Sequence, residues 1–144
     1  MIFNFCKRVL CFVLVLMLAA CAVQQQLELK QREDLAESSR KDFINAMRWK
    51  RFGVAANLMK AEYREDFMAT FAPLKDIHIF IVKNVNTKDT ADGRRFEMSV
   101  EIEYYLLPSV TVKTFSFDQT WEYFDGDDPA LQGFLIVTPF PEFP

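Results

Sequence analysis

The chain has 144 residues, 51% hydrophobic and 26% charged, with 17 Lys and Arg against 20 Asp and Glu and a formal charge of −3. That length holds one domain with a real core, and an acidic balance without a basic run argues against nucleic acid, whose phosphates demand clustered cations. One histidine and three cysteines exclude multi-histidine zinc or copper sites.

The first element is a leader. Lys7 and Arg8 form a basic head, Val9 to Leu18 an apolar run of ten, and Ala19 and Ala20 supply small side chains before Cys21. This is the layout of a secretory signal. Counting from Val9, about fifteen apolar residues precede the glutamines at 24–26, fewer than the roughly 20 that a bilayer span needs. Leu18-Ala19-Ala20-Cys21 resembles a bacterial lipobox, the signal of bacterial lipoproteins. The resemblance implies diacylation of the Cys21 thiol, cleavage after Ala20 and an acylated new N-terminus. In Gram-negative lipoproteins an Asp after the lipidated Cys resembles an inner-membrane retention signal. Ala22 stands there instead, which implies the periplasmic leaflet of the outer membrane for a Gram-negative source.

Three segments are therefore expected: a cleaved signal at 1–20, a lipidated Cys with a polar tether at 21–31, and a single domain at 32–144. Processing removes two cations and no acids, taking the formal charge from −3 to −5. Cys6 and Cys11 leave with the signal and Cys21 is acylated. No thiol then remains for a disulfide, a nucleophile or a thiolate metal site.

Beyond the tether, Leu27, Leu35, Phe43, Ala46 and Met47 recur at near-helical spacing, with Arg32, Glu33, Glu37, Arg40 and Lys41 between them. The pattern predicts an amphipathic helix ending near Lys50 to Gly53, where the glycine allows a turn. A second helix runs from Val54 to about Phe71, with Ala55, Leu58, Met59, Phe67 and Phe71 on its apolar side, a kink near Glu62 and a stop at Pro73.

After Pro73 the period changes to two. "KDIHIFIVKNVN" sets Ile77, Ile79 and Ile81 against His78, Phe80 and Val82, apolar on both faces, as suits a central strand covered on both sides. Asp92-Gly93 marks a turn. "RFEMSVEIEYYL" then alternates, with Phe96, Met98, Val100, Ile102, Tyr104 and Leu106 on one face and Glu97, Ser99, Glu101 and Glu103 on the other. Pro108-Ser109 reverses the chain into a third strand whose Phe115, Phe117, Gln119, Trp121 and Tyr123 share a face. "DGDDPALQG" is a loop, "FLIVTPF" a last strand, and "PFPEFP" an extended tail. Helices followed by a four-stranded antiparallel meander make an α+β domain.

"INAMRWKRFGVAANLM", "YREDFMATF" and "QTWEYFDGDD" in this order resemble the NTF2-like, or cystatin-like, superfamily of cone-shaped domains. Many bacterial members end the penultimate strand on Trp-x-x-x-Asp-Gly, here Trp121 with Asp125-Gly126, and stop the final strand at a proline, as "IVTPFP" does. Asp127-Asp128-Pro129 follow Gly126 where a Trp is commoner, which lengthens the last hairpin. The resemblance covers about residues 35–140. It implies helices packed on a curved sheet and, for the enzymes of the superfamily, proton chemistry inside the cone with an Asp or His base and Tyr or protonated Asp donors.

His78 is the candidate base, being the only side chain here with an unperturbed pKa near neutrality; a lone histidine set between apolar neighbours is more often a structural residue. Tyr63, Tyr104, Tyr105 and Tyr123 are candidate donors, and Gln119 is a polar group on an aromatic face, as a small-molecule pocket needs. Tyrosines also bury their rings for structural reasons. Asp125, Asp127 and Asp128 carry oxygens for a cation but lack the other positions of a Ca²⁺ loop, and Asp-Gly-Asp is ordinary turn chemistry. Glu97, Glu101 and Glu103 form a wet acidic stripe.

Fifteen phenylalanines exceed what the core requires. Phe140 and Phe143 are the first expected outside it, packed back on the sheet or docked on a partner. The expectation is a lipid-anchored binding module, with no cofactor and no metal, that presents a sheet face to a periplasmic protein or a second copy. The alternative is a small-molecule binder or proton-transfer enzyme using His78, Tyr104 and Gln119. Convergence of His78 and Gln119 in one closed cavity favours the pocket; a cone plugged by Phe115, Phe117 and Trp121 favours the interaction module.

Overall fold

The computed structural model describes residues 2–126 and 132–144, with side chains from residue 23 onward. Three helices, α1 (Ile2–Arg48), α2 (Phe52–Asn57) and α3 (Ala61–Phe71), precede four strands, β1 (Ile77–Asp89), β2 (Arg95–Leu106), β3 (Lys113–Phe124) and β4 (Gly133–Ile136). The strands form one antiparallel sheet in the order β1-β2-β3-β4.

Helix α1 runs unbroken through residues 21–31, so the expected polar tether is helical. Its sheet-facing stripe differs from the predicted one. Leu27 and Leu35 are exposed, while Ala36, Phe43, Ala46 and Met47 are buried. Leu29, Arg32 and Arg40 complete the stripe at spacings of three and four residues. The Arg40 guanidinium lies 4.9 Å from the centre of the Phe96 ring and that of Arg32 lies 5.7 Å from Tyr123. Both arginines therefore cover the sheet with stem and charge together, where the sequence pattern had placed them in solvent.

The helix ends in a Schellman motif. Arg51 N–H donates to Ala46 C=O at 2.8 Å and Lys50 N–H to Met47 C=O at 3.1 Å, with Lys50 in the left-handed region at φ 53°. Lys50, rather than the expected Gly53, makes the turn, and Gly53 sits inside α2. The predicted second helix is two. The break falls at residues 58–60, not at Glu62, because the backbone there pairs with β4: Ile136 N–H donates to Leu58 C=O (2.8 Å) and Lys60 N–H to Ile136 C=O (2.9 Å). Phe52 of α2 stacks on Phe71 of α3, with ring centres 4.2 Å apart.

Strand β2 matches its pattern, burying Phe96, Met98, Val100, Ile102 and Tyr104. Strand β1 does not. It is an edge strand, and only Ile77, Ile79 and Val82 are buried on it. The pairing with β2 slips between Ile79 and Ile81 and again between Asn84 and Asn86, so Phe80 and Val85 are bulged residues. Each bulge shifts the alternation by one. Phe80, Ile81 and Val85 are consequently 37%, 38% and 59% exposed. Bulges together with Lys83 and Lys88 blunt this edge against unwanted pairing.

At the β1–β2 turn Gly93 takes φ +63°, a conformation glycine adopts without strain. The Asp92 carboxylate accepts from the Thr90 hydroxyl (2.6 Å) and from Arg94 N–H (3.0 Å), which holds it below the usual carboxylate range.

The core lies between α1, α3 and the inner face of the sheet. Trp121 is fully buried, stacked on Phe96 at 5.4 Å and met edge-on by Phe43 at 6.0 Å. Phe140 and Phe143 belong to this core and do not project from it. Phe140 meets Phe67, Phe71, Phe115 and Phe117 at 4.9–6.0 Å. Phe143 meets Tyr104, Phe115 and Phe71 at 4.7–5.4 Å.

Candidate functional site

The candidate residues separate onto opposite faces of the sheet. His78 is exposed on β1 and stacks on Tyr105, its register partner on β2, with ring centres 4.8 Å apart and planes 5° from parallel. Tyr105 follows the inward-facing Tyr104, so period-two alternation puts both His78 and Tyr105 outside. Gln119 lies inside, 3% exposed on the face of Phe117 and Trp121. His78 and Gln119 therefore do not converge, and a base at His78 has no route to the cone interior.

Tyr104 does face inward. Its hydroxyl donates to Pro144 O at 3.2 Å, and burial raises its pKa above the ordinary value of 10.0. It is thus engaged with the tail. Tyr63, half-buried on α3, has its pKa raised by hydrogen bonding to Glu62. Tyr123 lies at the other end of the sheet between the Arg32 and Arg94 guanidiniums, its pKa raised mainly by burial and further by Asp125.

Where the sequence predicted an open or plugged cone, the plug is observed. Phe43, Phe67, Phe117, Trp121, Phe140 and Phe143 fill the space between helices and sheet. Within it, neither amide atom of Gln119 nor Trp121 Nε1 has a hydrogen-bonding partner among the described residues.

The acidic stripe is partly neutralised from the neighbouring strand. Lys83 Nζ lies 2.6 Å from Glu101 and 3.6 Å from Glu103, and Glu101 raises the lysine's pKa. Asp125 pairs with Arg94 at 2.6 Å. Asp127 and Asp128 lie outside the described residues, and among those described no three His, Cys, Asp or Glu side chains cluster as metal ligands. Leu18, Ala19, Ala20 and Cys21, the residues that resemble a lipobox, fall within the helical backbone of α1, and their side chains are outside the described set.

One feature escaped the sequence pattern. A cleft of about 380 Å³ lies between α1 and the β1–β2 turn, lined by Glu33, Glu37, Arg40, Asp89, Arg95 and Phe96 among others. Arg40 bridges to Asp89 within it at 3.4 Å. Arg40, interrupting an otherwise apolar stripe at 29, 36, 43 and 47, was its signal in the sequence.

Compared by sequence, the chain matches no family profile and no curated relative. Compared by fold, it is similar to the VirB8 protein of Agrobacterium tumefaciens, with a TM-score of 0.52 and 10% identity over 75% of this chain and 90% of that one. It is also similar to a crystal structure described as a polyketide cyclase from Xanthomonas campestris pv. campestris, with a TM-score of 0.51 and 8% identity over 76% of this chain and 93% of that one. The fold is NTF2-like. Identities this low carry the architecture and nothing of activity.

Proposed function

We propose that the chain is a lipid-anchored binding module of the cell envelope. The leader and Leu18-Ala19-Ala20-Cys21 support the address: cleavage before Cys21 and acylation hold the domain to the periplasmic leaflet of the outer membrane. More than one acyl chain is needed for lasting attachment, and a lipidated cysteine carries them. From Cys21 to Leu29, the first partly covered side chain among those described in α1, the helix rises about 12 Å at 1.5 Å per residue. The tether is then a short helical stalk that stands the domain just off the bilayer.

The observation that carries the binding reading is the contrast between the two sides of the sheet. The inside is filled by the chain's own aromatics, whereas the outside of β1 exposes His78 stacked on Tyr105, with Phe80, Ile81 and Val85 beside them. Exposed aromatic and aliphatic side chains gathered around the His78–Tyr105 stack fit a protein partner packed on this face, either another envelope protein or a second copy of this chain. The proton-transfer alternative has no base within the core, where Gln119 is the single buried polar side chain among the described residues.

Native mass spectrometry of the protein extracted gently from its own membranes tests the reading. A homodimer or co-purifying protein is expected, and Phe80→Asp with Ile81→Asp should abolish it without loss of fold. A monomer carrying no protein partner, or a complex indifferent to both substitutions, would remove the outer face from the account.

A further inference from the structure

Strand β3 is paired along only part of its outer edge. Tyr123 N–H donates to Arg94 C=O at 2.8 Å, and on the other side of the strand Val137 N–H donates to Thr120 C=O at 2.9 Å. Hydrogen-bonding direction alternates along an antiparallel strand, and the β2–β3 register runs without a slip from Glu122 to Lys113. Odd-numbered residues of β3 therefore bond to β2, and even-numbered ones bond away from it. Glu122 and Phe124 face Leu135 and Gly133 of β4, and Thr120 meets Val137. Thr114, Ser116 and Asp118 come next along this edge. All three are exposed, and no backbone–backbone hydrogen bond from the tail or a loop reaches them among the described residues.

The chain's own continuation is barred from this gap. Carried past Ile136, the β3–β4 register sets Pro139 opposite Asp118 and Pro141 opposite Ser116. Neither proline has the N–H that a ladder needs. The tail turns under the sheet instead. Phe143 lies 4.7 Å from Tyr104, ring centre to ring centre, and the Tyr104 hydroxyl donates to Pro144 O at 3.2 Å. Tyr104 faces inward on β2, so the tail ends beneath the sheet and not beside β3. Leading into β3, Val110, Thr111 and Val112 are β-branched throughout and make no backbone–backbone hydrogen bond among the described residues. Val110 and Val112 are 75% and 52% exposed, although such residues favour paired, pleated backbone. The open edge thus runs from Val110 to Asp118 without a proline, whereas the opposite edge, β1, is broken by two bulges.

We propose that the β3 edge is a strand-addition site for an extended segment of another protein. The added strand exchanges N–H and C=O bonds with Thr114, Ser116 and Asp118. Its side chains alternate, apolar beside Phe115 and Phe117 and polar beside Thr114, Ser116 and Asp118. A second copy of this chain does not suit the edge. Arg32 Nη1 donates to Asp92 C=O at 3.2 Å beyond the end of β1, and Lys50 Nζ donates to Ile77 C=O at 3.2 Å at its start, so α1 runs antiparallel to β1. Two copies joined antiparallel through β3 would point their α1 helices in opposite directions. Their Cys21 ends would then lie on opposite sides, which one membrane cannot hold; this exclusion alone rests on the lipid-anchor reading. The edge is independent of the outer-face reading, and either stands if the other falls.

Amide hydrogen exchange of the full chain, read by NMR, tests the proposal. The probe is a peptide of about nine alternating Thr and Val residues, N-methylated at every second residue so that one edge alone can pair. The control peptide is N-methylated at every residue. The probe should slow exchange of the Thr114, Ser116 and Asp118 amides about tenfold or more, and the control should not. Ser116→Pro removes one outward N–H and no bond to β2, and should weaken the probe about tenfold. Pro139→Val with Pro141→Val returns two N–H groups to the tail. That chain should protect the same three amides by itself and no longer bind the probe. Equal effects of the two peptides, indifference of the folded chain to Ser116→Pro, or binding that survives both Pro→Val substitutions would each overturn the proposal. So would protection of the three amides in the unsubstituted chain alone, which would mean that a second copy already fills the edge.

Discussion

A tail that docks as a unit sets a ceiling on what mutating it can cost, and Phe140→Ala measures that ceiling. Phe140 touches four aromatic rings at 4.9–6.0 Å but is only half-buried. Truncating a fully buried Phe costs about 3–5 kcal/mol, so half-burial with those ring contacts leaves about 2 kcal/mol. If the tail leaves the groove whole, the chain with its tail out is still folded. The loss then cannot exceed the docking free energy of the tail. Phe143→Ala added to Phe140→Ala should therefore cost well under 1 kcal/mol more, although alone it costs about 2 kcal/mol by the same reasoning. Urea unfolding followed by far-UV circular dichroism reads both. With a slope of about 1.5 kcal/mol per molar for a domain this size, the first substitution lowers the midpoint by about 1.3 M and the second barely moves it. Additive losses summing to about 4 kcal/mol would refute separate docking and make the tail an inseparable part of the core.

Three further outcomes follow from the same structure. Gln119→Met removes two unpartnered groups worth about 1–3 kcal/mol each, partly offset by imperfect repacking, so thermal unfolding should rise by several degrees at about 3–6 °C per kcal/mol; a fall would mean that the amide is satisfied and structural. Lys50→Gly relieves a left-handed non-glycine residue worth about 1 kcal/mol against loss of the Lys50 Nζ bond to Ile77 C=O at 3.2 Å, for a net gain of about 0.5 kcal/mol in urea. Burial holds the Tyr104 phenol above its ordinary pKa of 10.0, so the unfolded chain ionises first. That contribution is complete below pH 10 and is lost as pH climbs through the folded value. Tyr104→Phe should flatten the alkaline decline of the urea midpoint, and an unchanged slope would contradict the burial argument.

How much of this was legible depended on whether a residue's role is local. Strand β2 was read correctly because one face is buried along its whole length and alternation alone assigns it. Strand β1 was misread because its apolar residues on both faces suit a central strand, while its edge position comes from meander order and its flipped alternation from two bulges. Neither leaves a mark in thirteen residues of sequence. The helix break at 58–60 was invisible for a similar reason, since no Gly or Pro lies there and the cause is pairing with residue 136. Arg32 and Arg40 were assigned to solvent by polarity, although their long stems let a cation face the sheet over an aromatic ring. For the site, Gln119 was identifiable as the polar member of an aromatic row. The direction of His78 was open in the sequence, because the strand carrying it is apolar on both faces and alternation alone does not say which of them faces the core.

The address and the module meet at Cys21, and an intact mass of the full-length protein extracted from its own membranes tests that junction most directly. The account predicts a chain beginning at Cys21, lacking residues 1–20 and heavier than its sequence by a diacylglyceryl group and an N-linked acyl chain. A chain retaining residues 1–20 with an unmodified Cys21 would contradict it.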